Sequence, residues 1–250
     1  MKKYTPKTEL LYYKSKPIDK LSIKDSINLF VDEQKKSAEA VKKSSNAIEE
    51  AIKKIYDHLT LYKKGRLIYA GAGTSGRIAV QDAVELFPTF NWPKNKVDFI
   101  LAGGKKAIFE AVENAEDNVN VATKIVNLKR IDHHDVVIGL AASGNTPFTC
   151  RVMKEAQNKK ALTISISNNP YGKILDFGNI KIILNTKEEI IAGSTRLKAG
   201  TAQKMCLNMI SSMVMVKMGK VKDGYMVEMV PTNQKLRERK TLINSNFVDN

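Results

Sequence analysis

Two short segments of the sequence combine glycine with serine or threonine in a pattern that suits a phosphate group. The first reads GAGTSGR from residue 71, and the second reads ASGNTP from residue 142. Each follows an apolar run and opens a helical pattern, so its amides lie at a predicted helix N-terminus, where the helix dipole favours an anion. We expect a terminal phosphate monoester to bind here. The candidate ligands are Gly73, Thr74, Ser75, Ser143, Gly144, Asn145 and Thr146.

The two loops have other possible interpretations. The first also matches GxGxxG, which is typical of dinucleotide-binding proteins. That fingerprint requires an acidic residue at the end of the second strand, whereas this strand ends Leu101-Ala102-Gly103-Gly104 and Asp98 lies near its start. A nicotinamide cofactor is therefore not expected. The remaining alternative is that both loops are ordinary strand-to-helix turns with capping serine and threonine.

Five short apolar runs provide the strands that must position these loops. They are rich in Ile, Val and Leu, are nearly continuous, and alternate with helical stretches, as parallel strands covered on both faces do. With right-handed crossovers, the pattern predicts an α/β fold: a three-layer, doubly wound parallel sheet of about five strands. The predicted strands are Leu67–Ala70, Val97–Ala102, Val136–Ala141, Leu162–Ile166 and Ile180–Leu184.

Helical patterns flank the predicted sheet. In the first 60 residues apolar side chains recur at helical spacing, and Ser22 is a predicted N-cap with Asp25 in the first turn. Further helices are predicted from Arg196 to Lys217 and from Thr232 onward. We expect residues 1–60 to form a helical N-terminal extension that packs on the core or on a partner subunit. Residues 61–250 are expected to form one globular domain.

Composition and charge narrow the class of protein. The 250 residues carry a formal net charge of +15, but the lysines are scattered and do not interleave with aromatic residues, so no nucleic-acid partner is expected. No apolar run suits a membrane span or a secretory signal. The two cysteines and three histidines lack disulfide-framework or metal-binding spacing, so no metal is expected. These features predict a cytoplasmic protein.

Two glutamates follow the predicted loops. Glu85 lies in the helix after the first loop, and Glu116 lies in the helical stretch after Gly103 and Gly104. Taken alone, each is expected to be a solvated helix residue, because glutamate is rarely buried. Their spacing does not show whether the two side chains meet.

Longer segments carry a more specific signal. They are GAGTSGRIAVQDAVELFPT, AVENAED, AASGNTP and EEIIAGSTRLKAGTAQKMCLNMIS, the last continuing through KMGKVKDGYMVEMVPTNQKL. These segments resemble the bacterial N-acetylmuramic acid 6-phosphate etherases, and weaker similarity extends back to Thr8-Glu9. The resemblance covers nearly the whole chain and implies a SIS-type phosphosugar-binding fold. The glucokinase regulatory protein, a non-enzymatic relative, shares that fold.

The resemblance also implies a reaction. A carbon–oxygen lyase of this family converts N-acetylmuramic acid 6-phosphate into N-acetylglucosamine 6-phosphate and D-lactate, with no cofactor, in a homodimer whose sites lie near the subunit interface. Glu116, in Ala115-Glu116-Asp117, matches the carboxylate assigned here to remove the C2 proton. Glu85, in Asp82-Ala83-Val84-Glu85, matches the residue that protonates the departing lactyl oxygen at C3. This division of roles comes from the resemblance together with the chemistry.

The loop before the last long helix is the remaining candidate. Ser194, Arg196 and Lys198 would ordinarily serve as N-caps and surface charges, but the resemblance suggests that their loop closes the site, with Glu189 beside the pocket.

Some positions depart from the family pattern. The chain has Val84-Glu85-Leu86-Phe87-Pro88 where the family commonly has Ser-Glu-Cys-Pro-Pro, and Asn145 replaces a usual arginine. Its sequence also stops at Asn250, short of the small helical domain that usually ends these enzymes. A sugar-phosphate-binding regulator and a phosphosugar isomerase therefore stay open as alternatives.

Overall fold

A five-stranded parallel sheet forms the centre of the molecule. The structure is a computed structural model, and it describes residues 5–231, 234, 236–238, 240 and 241. In spatial order the strands are β2-β1-β3-β4-β5, and every neighbouring pair is parallel. Their bounds are β1 Leu67–Gly71, β2 Val97–Leu101, β3 Val136–Ala141, β4 Leu162–Ser167 and β5 Ile180–Ile183.

Helices cover both faces of the sheet, which explains why the strands are almost continuously apolar. The side chains of Leu67 and Tyr69 face one hydrophobic cluster, whereas those of Ile68 and Ala70 face the other, as strand alternation requires. Helices α2, α3 and α7 pack on the first face, and α5 and α6 pack on the second. The helices are α1 Ile23–Lys43, α2 Ser45–Leu61, α3 Gly73–Phe90, α4 Lys106–Phe109, α5 Val119–Leu128, α6 Pro147–Asn158 and α7 Lys198–Lys217.

The predicted α/β fold is confirmed, with small shifts at element ends. All five strands occur within one or two residues of their predicted bounds. Helix α7 begins at Lys198 rather than Arg196, and Glu116 lies in a 3₁₀ turn, Ala115–Asp117, rather than in a longer helix. The described residues of the predicted C-terminal helix are helical, and its other residues lie outside the described part. The predicted division of the chain between residues 60 and 61 stays a prediction. Helix α2 extends across this position and packs into the same core as the sheet.

The N-terminal helix α1 begins as predicted and packs on α7. The Ser22 hydroxyl accepts a hydrogen bond from the Asp25 amide at 3.1 Å, which caps the helix. Along the α1–α7 contact the Lys198 ammonium donates to the Glu33 carboxylate at 2.6 Å and to the Glu188 carbonyl at 2.7 Å. Glu33 and Lys198 are 3% and 1% exposed, so this ion pair is shielded from water.

The environment of Glu33 strongly favours its charged form. Burial alone would raise the pKa of this carboxyl group, but hydrogen bonds from Lys198, Lys36 and Tyr12 outweigh it and lower the pKa from 4.5 to about 2. A carboxylate with a lowered folded-state pKa stabilises the fold above its unfolded pKa. That contribution is lost as the pH falls from about 4.5 towards 2.

Helix length and polarity also bear on membrane insertion. Within the described residues, every helix is either too short or too polar to span a lipid bilayer.

We predict that Glu33→Gln destabilises the fold at neutral pH by about 3–5 kcal/mol, because it leaves the Lys198 ammonium buried without its counter-ion. The penalty should shrink as the pH falls from about 4.5 towards 2, where Glu33 in the wild type becomes protonated. Denaturant unfolding followed by circular dichroism across this range measures it. Glu39→Gln, on an exposed position of the same helix, is the matched control and should change stability by less than about 0.5 kcal/mol. Equal effects of the two variants would contradict the prediction.

Candidate active site

The order of the strands creates a crevice at the carboxyl edge of the sheet. The chain leaves β1 towards β2 on one side and then returns to form β3 on the other side of β1. The loops after β1 and β3 therefore diverge from the point where the order reverses, and such switch points are where open α/β sheets bind ligands. Both predicted phosphate loops lie at this point.

The first loop brings the N-terminus of α3 unusually close to β1. A Cβ atom on Gly76 would lie 2.3 Å from Leu101 Cδ1 and 2.9 Å from the Gly71 backbone, so only glycine fits there. The N-cap position is Ala72, whose side chain has no hydrogen-bonding group. The first amides of α3 thus have no side-chain cap among the described residues and are available to an anion.

The second loop has a fixed backbone conformation. Gly144 has φ 76°, and a Cβ there would lie 2.3 Å from Gly172 Cα. The Ser143 hydroxyl accepts from the Asn145 amide at 3.1 Å, and the Asn145 side-chain oxygen accepts from the Lys173 amide at 3.0 Å. Helix α6 then begins at Pro147, and within the described chain it also has no side-chain N-cap bond.

A cavity of about 440 Å³ lies between these loops. It brings together hydroxyl groups from both of them and the carboxylate of Glu116. Its lining residues are Glu9, Ser75, Glu116, Ala142, Ser143, Asn145, Thr146, Pro147, Gly193 and Thr195. Four of the seven predicted phosphate-binding residues therefore line one cavity, together with one of the two predicted catalytic glutamates. Gly73, Thr74 and Gly144 contribute to the loop backbone outside this lining.

Glu116 reaches the cavity from a short 3₁₀ turn after β2. Asn114 precedes this turn in the left-handed region, at φ 56°. The Glu116 side chain is exposed to solvent at the cavity wall. A carboxylate in this position can exchange protons with a ligand held by the two helix N-termini.

Glu85 lies elsewhere in the same chain. It follows Ser75 by ten positions in α3, which corresponds to roughly 15 Å along the helix axis. Its side chain is exposed and outside the cavity lining. A single chain therefore does not bring Glu85 and Glu116 together.

The buried carboxylate of Asp82 fixes the orientation of α3 and hence the direction of Glu85. Asp82 accepts hydrogen bonds from Tyr69 at 2.8 Å, Asn208 at 2.7 Å and Ser211 at 3.0 Å. These partners lie on β1 and α7, beneath the helix. Asp82 is buried, whereas Val84 and Glu85 on the same helix are exposed, so the Glu85 side chain points to solvent rather than into this network.

The loop before α7 contributes differently from what the sequence suggests. Lys198 was expected to contact the ligand, but its ammonium is bound to Glu33 inside the α1–α7 contact, so the structure assigns it to helix packing. Glu189 is also turned inward: its carboxylate accepts from the amides of Lys198 at 3.0 Å and Ala199 at 2.8 Å, capping α7. Burial is the largest influence on Glu189 and raises its pKa, which the two amide bonds only partly oppose.

The backbone of this loop nevertheless forms part of the cavity. Gly193 and Thr195 line it, whereas Ser194 and the exposed Arg196 lie in the same loop outside the lining. Ligand contact by Ser194 and Arg196 therefore stays a prediction, and two other residues of their loop face the cavity.

Glu9 is the functional candidate that sequence reasoning missed. It lies about 60 residues before the first loop, in a 3₁₀ turn at Lys7–Glu9, and its carboxylate lines the cavity. The only sequence signal was the weak family similarity at Thr8-Glu9, which did not indicate that Glu9 lies near the two loops.

Positive charge lies next to the cavity rather than in its wall. A second cavity of about 210 Å³ shares Asn145 and Pro147 with the first, and it is also lined by Arg151, Lys154 and Lys173. Lysine and arginine are absent from the wall of the 440 Å³ cavity as far as the described residues form it. Phosphate binding there would therefore depend on helix amides and hydroxyls, with the neighbouring cations adding a longer-range attraction.

A possible metal-ligand group lies at the other end of the sheet. The ligand atoms of Asp132, His133 and His134 lie within 4.8 Å of one another in the turn before β3. Because this turn is at the amino end of the strand, the group is remote from the cavity.

Comparison with known proteins identifies the family. An N-acetylmuramic acid 6-phosphate etherase from Shouchella clausii is 44% identical over 233 residues, which are 93% of this chain and 78% of the relative. The chain belongs to the N-acetylmuramic acid 6-phosphate etherase family. Another etherase, from Lactobacillus johnsonii, is 44% identical over 232 residues, covering 93% of this chain and 77% of the relative.

Domain and structure comparisons agree with an etherase built on a SIS domain. The model of the SIS domain matches residues 108–213, and the model of the glucokinase regulatory protein N-terminal SIS domain matches residues 46–157. The solved structure of a proposed phosphosugar isomerase involved in capsule formation, from Bacteroides fragilis, superposes with a TM-score of 0.61 at 19% identity. It covers 82% of this chain and 95% of that chain. At that identity the likeness shows the fold alone.

We predict that Ser75→Ala and Ser143→Ala each weaken binding of phosphorylated sugars about ten-fold, because each removes one hydrogen bond to a charged group. Isothermal titration calorimetry with N-acetylglucosamine 6-phosphate measures the change. Thr60→Ala removes an exposed hydroxyl at the end of α2 and should leave the dissociation constant unchanged. Unchanged affinity in both serine variants would mean that the loops do not hold the phosphate.

Proposed function

We propose that this chain is an N-acetylmuramic acid 6-phosphate etherase, a carbon–oxygen lyase. The substrate loses its lactyl ether at C3 and gives N-acetylglucosamine 6-phosphate and D-lactate. The overall reaction consumes one water and is redox-neutral, and the proposal includes no metal or organic cofactor. The observation that carries the proposal is the shared cavity of Ser75, Ser143 and Glu116 in a chain 44% identical to curated etherases.

The geometry supports a division between binding and chemistry. The phosphate would lie against the free amides of α3 and α6, where Ser75, Ser143 and Thr146 can donate hydrogen bonds. Glu116 is at the wall of the same cavity and can reach the sugar ring rather than the phosphate. Opening of the ring exposes a C1 aldehyde, which acidifies the proton on C2.

Proton transfers then complete the reaction in two stages, elimination of lactate and addition of water. Glu116 takes the C2 proton, the C3–O bond breaks, and an acid protonates the departing lactyl oxygen. Water next adds at C3 of the unsaturated aldehyde, its proton returns to C2, and the ring closes. Positioned acids and bases typically accelerate such steps by about 10²–10⁴-fold each. Glu85 is proposed as the acid.

Because Glu85 is remote from Glu116 within one chain, we propose that a second copy supplies it. An isologous homodimer would place the exposed α3 surface around Val84 and Glu85 of one subunit at the cavity of the other. This surface adjoins an apolar groove that includes Phe87 and Phe99. Burial of that groove would give the interface an apolar centre.

We also propose that the protein acts in the cytoplasm. Its substrate would be a charged sugar phosphate, which does not cross membranes unaided, and its two cysteines, Cys150 and Cys206, are free and buried.

The decisive assay is release of D-lactate from N-acetylmuramic acid 6-phosphate by the purified protein, measured with a coupled D-lactate dehydrogenase. An etherase releases one lactate for each N-acetylglucosamine 6-phosphate formed. A regulator that binds the sugar without turnover would release none. An isomerase would yield a ketose phosphate with the lactyl ether intact.

We predict that Glu85→Gln and Glu116→Gln each lower kcat at least a hundred-fold, because each removes one proton-transfer group. When equal amounts of the two inactive variants are unfolded together and refolded, half of the dimers should be mixed. Each mixed dimer then has one site with both glutamates intact, so about a quarter of wild-type activity should return. Recovery of no activity would mean that the two glutamates do not work in one site formed between subunits. Refolded Glu116→Gln alone is the control.

A further inference from the structure

The N-terminal turn is tied into the cavity by a buried asparagine. Asn169 is 0% exposed and lies just after β4. Its side-chain oxygen accepts from the Lys7 amide at 2.8 Å, and its amide nitrogen donates to the Thr8 hydroxyl at 3.1 Å and to the Ala142 carbonyl at 2.9 Å. One side chain thus joins the Lys7–Glu9 turn to the phosphate loop that contains Ser143.

The loop before α7 holds the same turn from the other side. The Gly193 amide donates to the Thr8 carbonyl at 3.1 Å. Gly193 has φ 72°, and a Cβ atom there would lie 3.1 Å from a Glu9 carboxylate oxygen. The Thr8 hydroxyl also donates to the other oxygen of Glu9, at 3.2 Å. The buried Thr8 therefore anchors the turn while the next side chain extends into the cavity.

The chemistry of the cavity limits what Glu9 can contact. A carboxylate repels a phosphate, so its favourable partners on a sugar phosphate are the hydroxyl groups, which donate hydrogen bonds. In the described part of the chain Glu9 forms no ion pair that would neutralise it. It shares the cavity with Glu116, and it belongs to a different segment from the loops that begin α3 and α6.

We infer that Glu9 is a sugar-binding residue: its carboxylate accepts hydrogen bonds from hydroxyl groups of the bound sugar phosphate. Residues far apart in sequence then grip the two ends of the ligand. The loops after β1 and β3 hold the phosphate, and the N-terminal turn holds the sugar. The inference deepens the proposed function by adding a contact to the same ligand, and it depends on that function only for which sugar phosphate is bound.

Calorimetry with two ligands tests this contact without any need for turnover. N-acetylglucosamine 6-phosphate has both the phosphate and the sugar hydroxyls, whereas inorganic phosphate has only the former. Glu9→Ala should raise the dissociation constant of the sugar phosphate about ten-fold or more and leave that of inorganic phosphate within two-fold. Glu9→Gln, whose amide oxygen still accepts a hydrogen bond, should fall between Glu9→Ala and the wild type.

Two further variants separate a direct contact from a structural effect. Leu10→Ala alters the adjacent, exposed side chain and should leave both affinities unchanged. Thr8→Val keeps the shape but loses the hydrogen bonds to Asn169 and Glu9, so it should weaken sugar-phosphate binding less than Glu9→Ala does. Melting temperatures show whether each variant is folded.

Three results would overturn the inference: wild-type affinity for the sugar phosphate in Glu9→Ala, an equal loss of affinity for both ligands, or no binding of the sugar phosphate by the wild type. Failure of the proposed function is distinct from these. If the protein binds N-acetylglucosamine 6-phosphate through Glu9 but releases no lactate, the Glu9 contact is supported and the proposed etherase activity is wrong.

Discussion

Unpaired backbone amides at two helix N-termini are the constraint on which the site depends. Helices α3 and α6 both start at the carboxyl edge of the sheet, next to the reversal of strand order, and the described residues give neither a side-chain cap. Two converging positive dipole ends are poorly satisfied without an anion. Gly76 and Gly144 permit the close backbone packing that makes them converge. The fold therefore favours an anion at this edge of the sheet, and a phosphate there is the proposed ligand.

The carboxylates proposed to act on the ligand are held by different parts of the structure. Glu116 comes from a 3₁₀ turn that follows a left-handed asparagine, and Glu9 comes from a turn anchored by Asn169. Glu85 lies on a helix whose orientation the buried Asp82 network fixes, so small local movements do not bring it into the cavity. One chain thus brings Glu116, and not Glu85, to the cavity. The complete reaction is proposed to need a second chain.

Local features of the sequence were predictable and long-range ones were not. The strands could be located because a sheet buried on both faces requires continuous apolar runs. The two loops that line the cavity could be located because glycine and hydroxyl residues follow β1 and β3. The burial of Lys198 was missed because its partner Glu33 is 165 positions away. Glu9 was missed for the same reason, since its anchor Asn169 is more than 150 residues downstream. Helical periodicity contains no information about such partners.

The tie between Thr8 and Asn169 has a consequence for how the protein reaches its native state. The two residues are separated by 161 positions, so their hydrogen bond closes a long loop of the chain. Closing such a loop costs conformational entropy, and contacts between residues far apart in sequence form slowly. The strands and their adjacent helices can associate earlier through nearer partners. The sheet is therefore expected to be complete before the N-terminal turn docks, and ligand affinity to appear after most secondary structure during refolding.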